Sequence, residues 1–147
     1  MKVVVQRVKD AKVILDGLEV SKIEKGLLLL VGFTDNDGLK EIEYIARKVA
    51  RLRIFDDEKG LMNLDIKDVS GEILSVSQFT VYGDVVKSNR PSFTKALAFD
   101  KANELYLKFN EILRNEYDLT VKAGVFGKHM DVVFTNDGPV TIIIEKE

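Results

Sequence analysis

The sequence predicts an α/β domain in which a mixed β-sheet, with barrel-like sheet layers, packs against two main helices. Three observations predict this class: short β-branched runs near the N-terminus, two segments with apolar residues at helical spacing, and further strand-like runs in the last third. The 147 residues contain no linker, charge block or internal repeat. We therefore expect residues 1–147 to form a single domain.

The N-terminal third is expected to consist of strands. Residues 3–8 and 12–15 are short and rich in β-branched side chains. Asp16-Gly17 is a tight-turn signal because glycine supplies a positive φ, and residues 18–23 then return as the second arm of a hairpin. The run Leu27–Val31 is too short for a typical helix and apolar on both faces, which predicts a central, buried strand.

Two segments have helical periodicity. The first starts at Leu39, and its apolar residues are Ile42, Ile45, Ala46, Val49 and Leu52. Its other face carries several Lys and Arg side chains, for which a solvated helix face is the simpler interpretation and contact with phosphate the alternative. The second helix is expected after Asp100, a plausible N-cap, and its inward residues are Ala102, Leu105, Phe109 and Ile112.

Strands are also expected in the rest of the chain. One runs from residue 73 to 81, between the two helices, and a polar stretch follows it. Two more, 132–134 and 140–144, flank Asn136-Asp137-Gly138-Pro139. Because proline cannot donate to a strand ladder, Pro139 marks a hairpin tip or a sheet edge.

Composition excludes several classes of function. The apolar content of 46% excludes intrinsic disorder, and the lack of cysteine excludes disulfides, thiol nucleophiles and thiolate metal sites. A net charge of −2 disfavours a general nucleic-acid coat but leaves room for local contact with one end of an RNA. No apolar run approaches the roughly 20 residues that span a bilayer, and the N-terminus does not resemble a signal peptide. We therefore expect a cytoplasmic protein without a membrane partner.

The single histidine, His129, suggests a Ser-His-Asp triad with Ser77, Ser92 or Thr80 as the nucleophile. A triad is defined by geometry, which sequence spacing does not supply, and the sequence has no Gly-x-Ser-x-Gly motif. A surface or packing histidine is the simpler interpretation. The phosphate-binding motifs GxxxxGK[ST] and GxGxxG are also missing.

Two segments are unusual for a small α/β domain. Ser77-Gln78-Phe79-Thr80 places polar side chains where the preceding strand predicts continued apolar burial. Gly138-Pro139 stands between two strand-like runs. The residues alone leave both segments open to ordinary readings, a strand emerging into solvent and a trans turn.

With these segments the sequence resembles the bacterial D-aminoacyl-tRNA deacylases, also called D-tyrosyl-tRNA deacylases. The resemblance covers essentially the whole chain and also includes Val5-Gln6-Arg7-Val8, Arg90-Pro91-Ser92-Phe93 and Phe126-Gly127. Ser-Gln-Phe-Thr together with Asn-x-Gly-Pro-Val-Thr is a highly specific pair. Ser88 and Lys128 depart from the pattern, since small residues are expected there.

The resemblance implies a homodimer with its active sites at the subunit interface. It implies hydrolysis of the ester that joins a D-amino acid to the 3′-terminal ribose of tRNA, without a metal or organic cofactor. Gly138-Pro139 would be a cis peptide that enters the partner's site, and Arg7 would hold that loop. The residues implied to line the pocket are Ser77, Gln78, Phe79 and Thr80, with Phe126 and Met130 in its walls.

The chemistry expected of these residues is water attack on an activated ester. The backbone N–H groups of Phe79 and Thr80 would stabilise the oxyanion, and Gln78 would help to position the ester. The Thr80 hydroxyl is an alternative nucleophile, but no activating base is visible. The carbonyls of Gly138 and Pro139 would accept hydrogen bonds from the α-ammonium of a D-residue and exclude an L side chain, so glycyl-tRNA should also be cleaved.

The sequence is also compatible with three other functions. The chain could bind an RNA end without catalysis, sense free D-amino acids in the same pocket, or act as a general serine esterase. A general serine esterase would require His129 for activity, whereas hydrolysis by water attack would not.

Overall fold

The computed structural model describes all 147 residues. It contains eight β-strands, two α-helices and one short 3₁₀ helix. The strands are β1 Lys2–Leu15, β2 Leu18–Ile23, β3 Gly26–Gly32, β4 Phe55–Asp56, β5 Met62–Leu64, β6 Glu72–Ser77, β7 Val121–Ala123 and β8 Asp131–Glu145. The helices are α1 Leu39–Arg51 and α2 Phe99–Asn115, and the 3₁₀ helix spans Phe79–Tyr82. No helix is both long enough and apolar enough to cross a membrane.

Six strands form one curled, mixed sheet in the order β2-β1-β3-β6-β7, and β8 pairs with β1. β1 is antiparallel to its neighbours, whereas β3–β6 and β6–β7 are parallel. The outer strands β2 and β7 approach each other: Ser21 Oγ donates to the Ala123 carbonyl at 3.0 Å, and Lys122 Nζ donates to the Lys22 carbonyl at 2.8 Å. The predicted mixed, barrel-like sheet with two helices is thus confirmed.

The sheet separates two apolar cores. The larger core lies between one face of the sheet and both helices, and the smaller one lies on the other face of the sheet. β3 shows why both exist: Leu27, Leu29 and Val31 belong to the larger core, while Leu28 belongs to the smaller. The prediction that this run is buried on both faces is therefore confirmed.

Two of the predicted strand pairs are single long strands. Residues 3–8 and 12–15 are parts of β1, because β8 pairs along almost all of β1 and carries it through the intervening residues. Residues 132–134 and 140–144 are likewise parts of β8. Gly138-Pro139 therefore lies in an irregularity within an edge strand, where the pairing register shifts between Gln6 and Val8, and not at a hairpin tip.

Two element boundaries also differ from the prediction. The strand expected to reach residue 81 ends at Ser77, and the chain turns into the 3₁₀ helix. α2 begins at Phe99, so Asp100 lies in its first turn, where a carboxylate favours the helix N-terminus without capping it. The short strands β4, β5 and β7 were not predicted, because two or three residues are too few to show a periodicity.

Candidate active site

A cavity with a volume of about 680 Å³ lies where β3 and β6 end. Its walls come from these strand ends, the residues before and within the start of α2, and the segment that leads into β8. It is lined by Ser77, Gln78, Phe79, Phe126 and Met130, together with Phe33, Phe93, Leu97, Phe99, Lys128 and His129. Five of the nine site residues named from the sequence thus share one cavity.

The segment after β6 is held against β3 through Gln78, while the backbone N–H groups of the next two residues have no acceptor. The Gln78 N–H donates to the Val31 carbonyl at 2.8 Å, which continues the β3–β6 pairing by one residue. Phe79 and Thr80 then begin the 3₁₀ helix, where N–H groups have no intrahelical acceptor. No turn or loop hydrogen bond uses them either. Two adjacent backbone donors are therefore available beside the cavity.

Close packing of Gly32 makes this arrangement possible. A Cβ on Gly32 would lie 2.2 Å from Val81 Cγ2 and 3.0 Å from the Gln78 carbonyl oxygen. Only glycine allows the 3₁₀ helix to approach the end of β3 this closely. The sequence reason for the site's position is thus a glycine at the end of a buried strand.

Thr80 and Gln78 contact each other. The Gln78 Nε2 donates to Thr80 Oγ1, so the threonine oxygen acts as an acceptor in this structure. No carboxylate or imidazole is hydrogen-bonded to the Thr80 hydroxyl. Thr80 itself is exposed and lies outside the cavity lining. The hydroxyl therefore has no neighbouring base to activate it.

Aromatic rings form the mouth and one wall of the cavity. Phe79 and Phe93 meet edge to face with their centroids 5.1 Å apart, and Phe99 and Phe126 do so at 4.9 Å. Phe79 is 56% exposed and Phe99 is 61% exposed, which is unusual for phenylalanine. The cavity thus presents open aromatic surface to a ligand.

Met130 also lines the cavity and packs against the smaller apolar core. Its sulfur accepts a hydrogen bond from the Val125 N–H at 3.2 Å. The preceding Gly127 has φ +76°, and a Cβ there would lie 2.5 Å from the Phe99 ring. The turn that carries Phe126 and Met130 therefore needs a glycine at this position to make room for Phe99.

Arg7, Gly138 and Pro139 lie outside the cavity of their own chain. The Gly138–Pro139 peptide bond is cis, and both residues are exposed. The nearly buried Arg7 guanidinium donates through Nε to the Asp137 carbonyl at 2.9 Å and through Nη1 to the Ile54 carbonyl at 2.7 Å. Arg7 thus holds Asp137, the residue before Gly138.

Asn136 ties the two ends of the same loop together. Its Oδ1 accepts from the Val140 N–H at 2.7 Å, and its Nδ2 donates to Gln6 Oε1 at 2.9 Å. The carboxamide therefore replaces the strand pairing that the irregularity in β8 interrupts. This role of Asn136 was missed from the sequence, although the residue was part of the motif.

His129 lines the cavity but forms no triad. It is exposed and has no hydrogen bond or ion pair, whereas Ser92 Oγ is paired with Thr94 Oγ1 and Thr80 with Gln78. The serine-esterase alternative has no support in this geometry. Nor do three or more His, Asp or Glu side chains cluster in a way that could hold a metal ion.

Electrostatic pairing fixes the loop that carries Phe93. Asp84 accepts hydrogen bonds from the Val86 N–H and from Lys95 Nζ, each at 2.9 Å, and these bonds lower the pKa of its carboxyl. Asp84 and Ser92 also exchange two backbone hydrogen bonds. Phe93 is thereby placed against Phe79.

Tyr106 packs against Phe126 from the interior of the protein. Burial raises the pKa of its hydroxyl, which donates a hydrogen bond to the Ser75 carbonyl at 2.7 Å.

Comparison with known proteins gives consistent results over the full length. The family described as "D-Tyr-tRNA(Tyr) deacylase" matches residues 4–145. A D-aminoacyl-tRNA deacylase of Exiguobacterium sibiricum is 53% identical over 146 residues, which cover 99% of this chain and 100% of that protein. The enzyme of the same name from Thermosipho africanus is 49% identical, with 100% and 98% covered.

Two solved structures share the fold. The c-Myc DNA Unwinding Element Binding Protein superposes with a TM-score of 0.94 at 42% identity, covering 100% of this chain and 99% of that one. A probable eukaryotic D-amino acid tRNA deacylase superposes with a TM-score of 0.84 at 17% identity, covering 97% of both chains, and this likeness concerns the fold alone. The family match and the close relatives together show that the chain belongs to the D-Tyr-tRNA(Tyr) deacylase family.

Proposed function

We propose that this chain removes D-amino acids from the 3′-terminal ribose of tRNA in a site made from the cavity of one subunit and the Gly138–Pro139 loop of a second copy. Family membership makes the chain a D-aminoacyl-tRNA deacylase, a hydrolase of the aminoacyl ester. The proposal adds which groups do the chemistry and how the wrong stereoisomer is rejected.

The observation that carries the proposal is the pair of unpaired backbone N–H groups at Phe79 and Thr80. Ester hydrolysis develops negative charge on the carbonyl oxygen, and preorganised amide donors stabilise it. A single donor of this kind contributes roughly 3 kcal/mol to the transition state. An aminoacyl ester is already activated, so two donors and a placed water suffice.

The nucleophile in this proposal is water. The Thr80 hydroxyl oxygen is occupied by the Gln78 amide and has no base beside it. The ribose 2′-hydroxyl of the substrate lies next to the ester and can assist the water in place of Thr80 or a protein base. Gln78 then serves to position the ester and Thr80, and both residues assist without forming a covalent intermediate.

The exposed aromatic rings suit the terminal adenosine. A nucleobase stacks on aromatic side chains with a gain of about 1–3 kcal/mol, independent of sequence. Phe79 and Phe99 offer such faces at the cavity mouth. Stacking there would bring the ribose ester close to the free amides.

The stereochemical filter is assigned to the loop of the partner subunit. Gly138 and Pro139 are exposed, anchored by Arg7, and absent from their own chain's cavity. Their carbonyl oxygens can accept hydrogen bonds from the α-ammonium of a D-residue, while an L side chain would collide with them. Glycine has no side chain to exclude, so glycyl-tRNA should be a substrate as well.

A homodimer is consistent with the free edge of the sheet. β8 pairs only with β1, and its exposed face includes Val133 and Ile143, which are 46% and 64% exposed. Unpaired strands with apolar side chains are normally covered in native proteins. A second copy seated near β8 would cover this edge and bring the loop of each subunit towards the cavity of the other.

The proposal is tested by measuring hydrolysis of D-tyrosyl-, L-tyrosyl- and glycyl-tRNA without added metal. We expect cleavage of the D-tyrosyl and glycyl esters and none of the L-tyrosyl ester. Resistance of glycyl-tRNA would contradict the exclusion mechanism. Retention of the tRNA without any turnover would instead support a binding module.

The shared site is tested by mixing two inactive chains. One chain carries Gln78→Ala and Phe79→Ala, and the other lacks residues 138–139. When they are co-expressed with different affinity tags, a mixed dimer contains one site in which both halves are intact. We expect purified mixed dimers to recover about half the wild-type activity, whereas a site confined to one chain predicts none.

A further inference from the structure

A group of positively charged side chains lies on the exposed face of α1 and the residues after it, and none of these residues lines the cavity. Four cationic side chains line a groove of about 470 Å³, which we call the cationic groove: Arg47, Lys48, Arg51 and Arg53. None of the four is within 4.0 Å of a carboxylate; even Glu43, one helical turn before Arg47, forms no ion pair with it. The chain as a whole has a net charge of −2, so this concentration is local.

The groove is partly ordered by contacts that keep its charges together. Arg47 and Lys48 each lie 5.6 Å from the centre of the Tyr44 ring, and Lys146 Nζ lies 5.7 Å from the same ring. Arg53 is fixed by a 2.9 Å hydrogen bond from its Nε to the Asn63 carbonyl. Like charges held together without acidic neighbours repel one another, and an anionic partner would relieve that repulsion.

The groove is directly connected to the loop assigned to the partner's site. Arg53 precedes Ile54, whose carbonyl accepts from Arg7 Nη1 at 2.7 Å. The same guanidinium donates to the Asp137 carbonyl, next to Gly138–Pro139. One arginine therefore joins the end of the cationic groove to the base of the loop.

We infer that the cationic groove binds backbone phosphates of the tRNA acceptor stem while the 3′ end occupies the active site. This inference rests on the proposed function, because it takes the aminoacylated end of the RNA to lie where the loop enters the partner. Arginine suits this task, since its planar guanidinium can bind a phosphate through two hydrogen bonds. Such contacts position the duplex without reading its sequence, so they are compatible with many tRNAs.

The test compares a full substrate with one that has no stem. The variant Arg47→Ala/Arg51→Ala is assayed on D-tyrosyl-tRNA and on a D-tyrosyl ester of the trinucleotide CCA. We expect its KM for the tRNA to rise about tenfold, and its kcat and its kinetics on the trinucleotide to match wild type. Loss of two phosphate contacts should also lower the salt slope of log KM by about 2, so that wild type loses roughly tenfold more affinity than the variant between 50 and 200 mM salt.

Two further variants separate charge at this site from charge in general. Arg47→Lys/Arg51→Lys keeps both charges and should recover most of the affinity. Lys22→Ala/Lys108→Ala removes the same formal charge from exposed residues that are already paired with carboxylates, and should behave as wild type.

Each remaining outcome is decisive. An unchanged KM of the alanine variant for the tRNA, or an equal loss of activity on the trinucleotide, overturns the inference. A lower melting temperature with unchanged KM assigns the arginines a structural role and also overturns it. Failure of the proposed function is seen separately, because the wild-type protein would then hydrolyse neither substrate.

Discussion

Replacing Arg7 by alanine removes the side chain that joins the Gly138–Pro139 loop to the segment before β4. Arg7 is 7% exposed, and its guanidinium makes short hydrogen bonds to the Ile54 and Asp137 carbonyls, at 2.7 and 2.9 Å. Its ion pairs with Asp56, at 3.3 Å, and with Asp137, at 3.6 Å, involve carboxylate side chains that are 53% and 36% exposed. The substitution therefore leaves two backbone acceptors without their charged donor.

The cost can be estimated from these contacts. A hydrogen bond that involves a charged group contributes about 1.5–3 kcal/mol, and each of the two exposed ion pairs adds between about 0 and 1 kcal/mol. Asp137 is only half-buried, so water can replace the lost donor there and the lower end of the range applies. We expect a loss of about 3 kcal/mol in the free energy of unfolding. For a chain of this size that corresponds to roughly 6–12 °C in melting temperature.

Urea denaturation followed by circular dichroism measures this loss, and hydrolysis of D-tyrosyl-tRNA measures its effect on the loop. Arg7→Lys keeps the charge, but a compact ammonium cannot span both carbonyls, so about half of the loss should remain. Lys9→Ala, at an exposed position of the same strand, should stay within about 0.5 kcal/mol of wild type. If Arg7→Ala is as stable as Lys9→Ala, then Arg7 does not anchor the loop and the reasoning is refuted.

Three other predictions concern the cavity and its surroundings. Gly127→Ala places a Cβ 2.5 Å from the Phe99 ring at a φ of +76°, so we expect at least a tenfold loss of kcat/KM, with a crystal structure showing Phe99 displaced; an unmoved ring with full activity would contradict this. His129→Ala should retain activity within about threefold, and abolished hydrolysis would revive the triad. Asp84 has a lowered pKa in the folded state, so its contribution to stability is present above the ordinary value of about 4 and lost as the pH falls through the lowered one. The difference in melting temperature between wild type and Asp84→Asn should therefore be largest near pH 7 and shrink below pH 4, and a difference that grows on acidification would contradict the assignment.

The elements with clear periodicity were predicted well from the sequence. Burial of one face gives α1 its helical spacing of apolar residues, and burial of both faces makes β3 apolar throughout. Both of these predictions were confirmed. Long-range pairing was not predictable. β1 and β8 are each continuous because they pair with each other, although they lie near opposite ends of the sequence. The pattern of a few neighbouring residues cannot show that pairing with a distant strand continues through the polar residues between two short apolar runs.

The candidate site residues were named from motifs more than from physical reasoning about the sequence. Ser77-Gln78-Phe79-Thr80 was recognisable as an interruption of an apolar strand, but the turn into a 3₁₀ helix depends on close contact with Gly32, which no local signal reveals. Phe99 was missed because an apolar residue at a helix start is read as core, whereas here it is largely exposed beside the cavity. That Arg7 and Gly138–Pro139 lie apart from the cavity follows only from the three-dimensional structure.

The pairing of β1 with β8 also bears on how the chain folds during synthesis. Lys2 faces Glu145 across this ladder, so β1 cannot complete its pairing until β8, which begins at Asp131, has been made. Contacts of β1 with β2 and β3 can form as soon as these neighbouring segments have left the ribosome, while the opposite edge of β1 stays unpaired until β8 follows. Pairings of such high sequence separation fold slowly. Nascent chains stalled before residue 131 should therefore be prone to aggregate and to need chaperones.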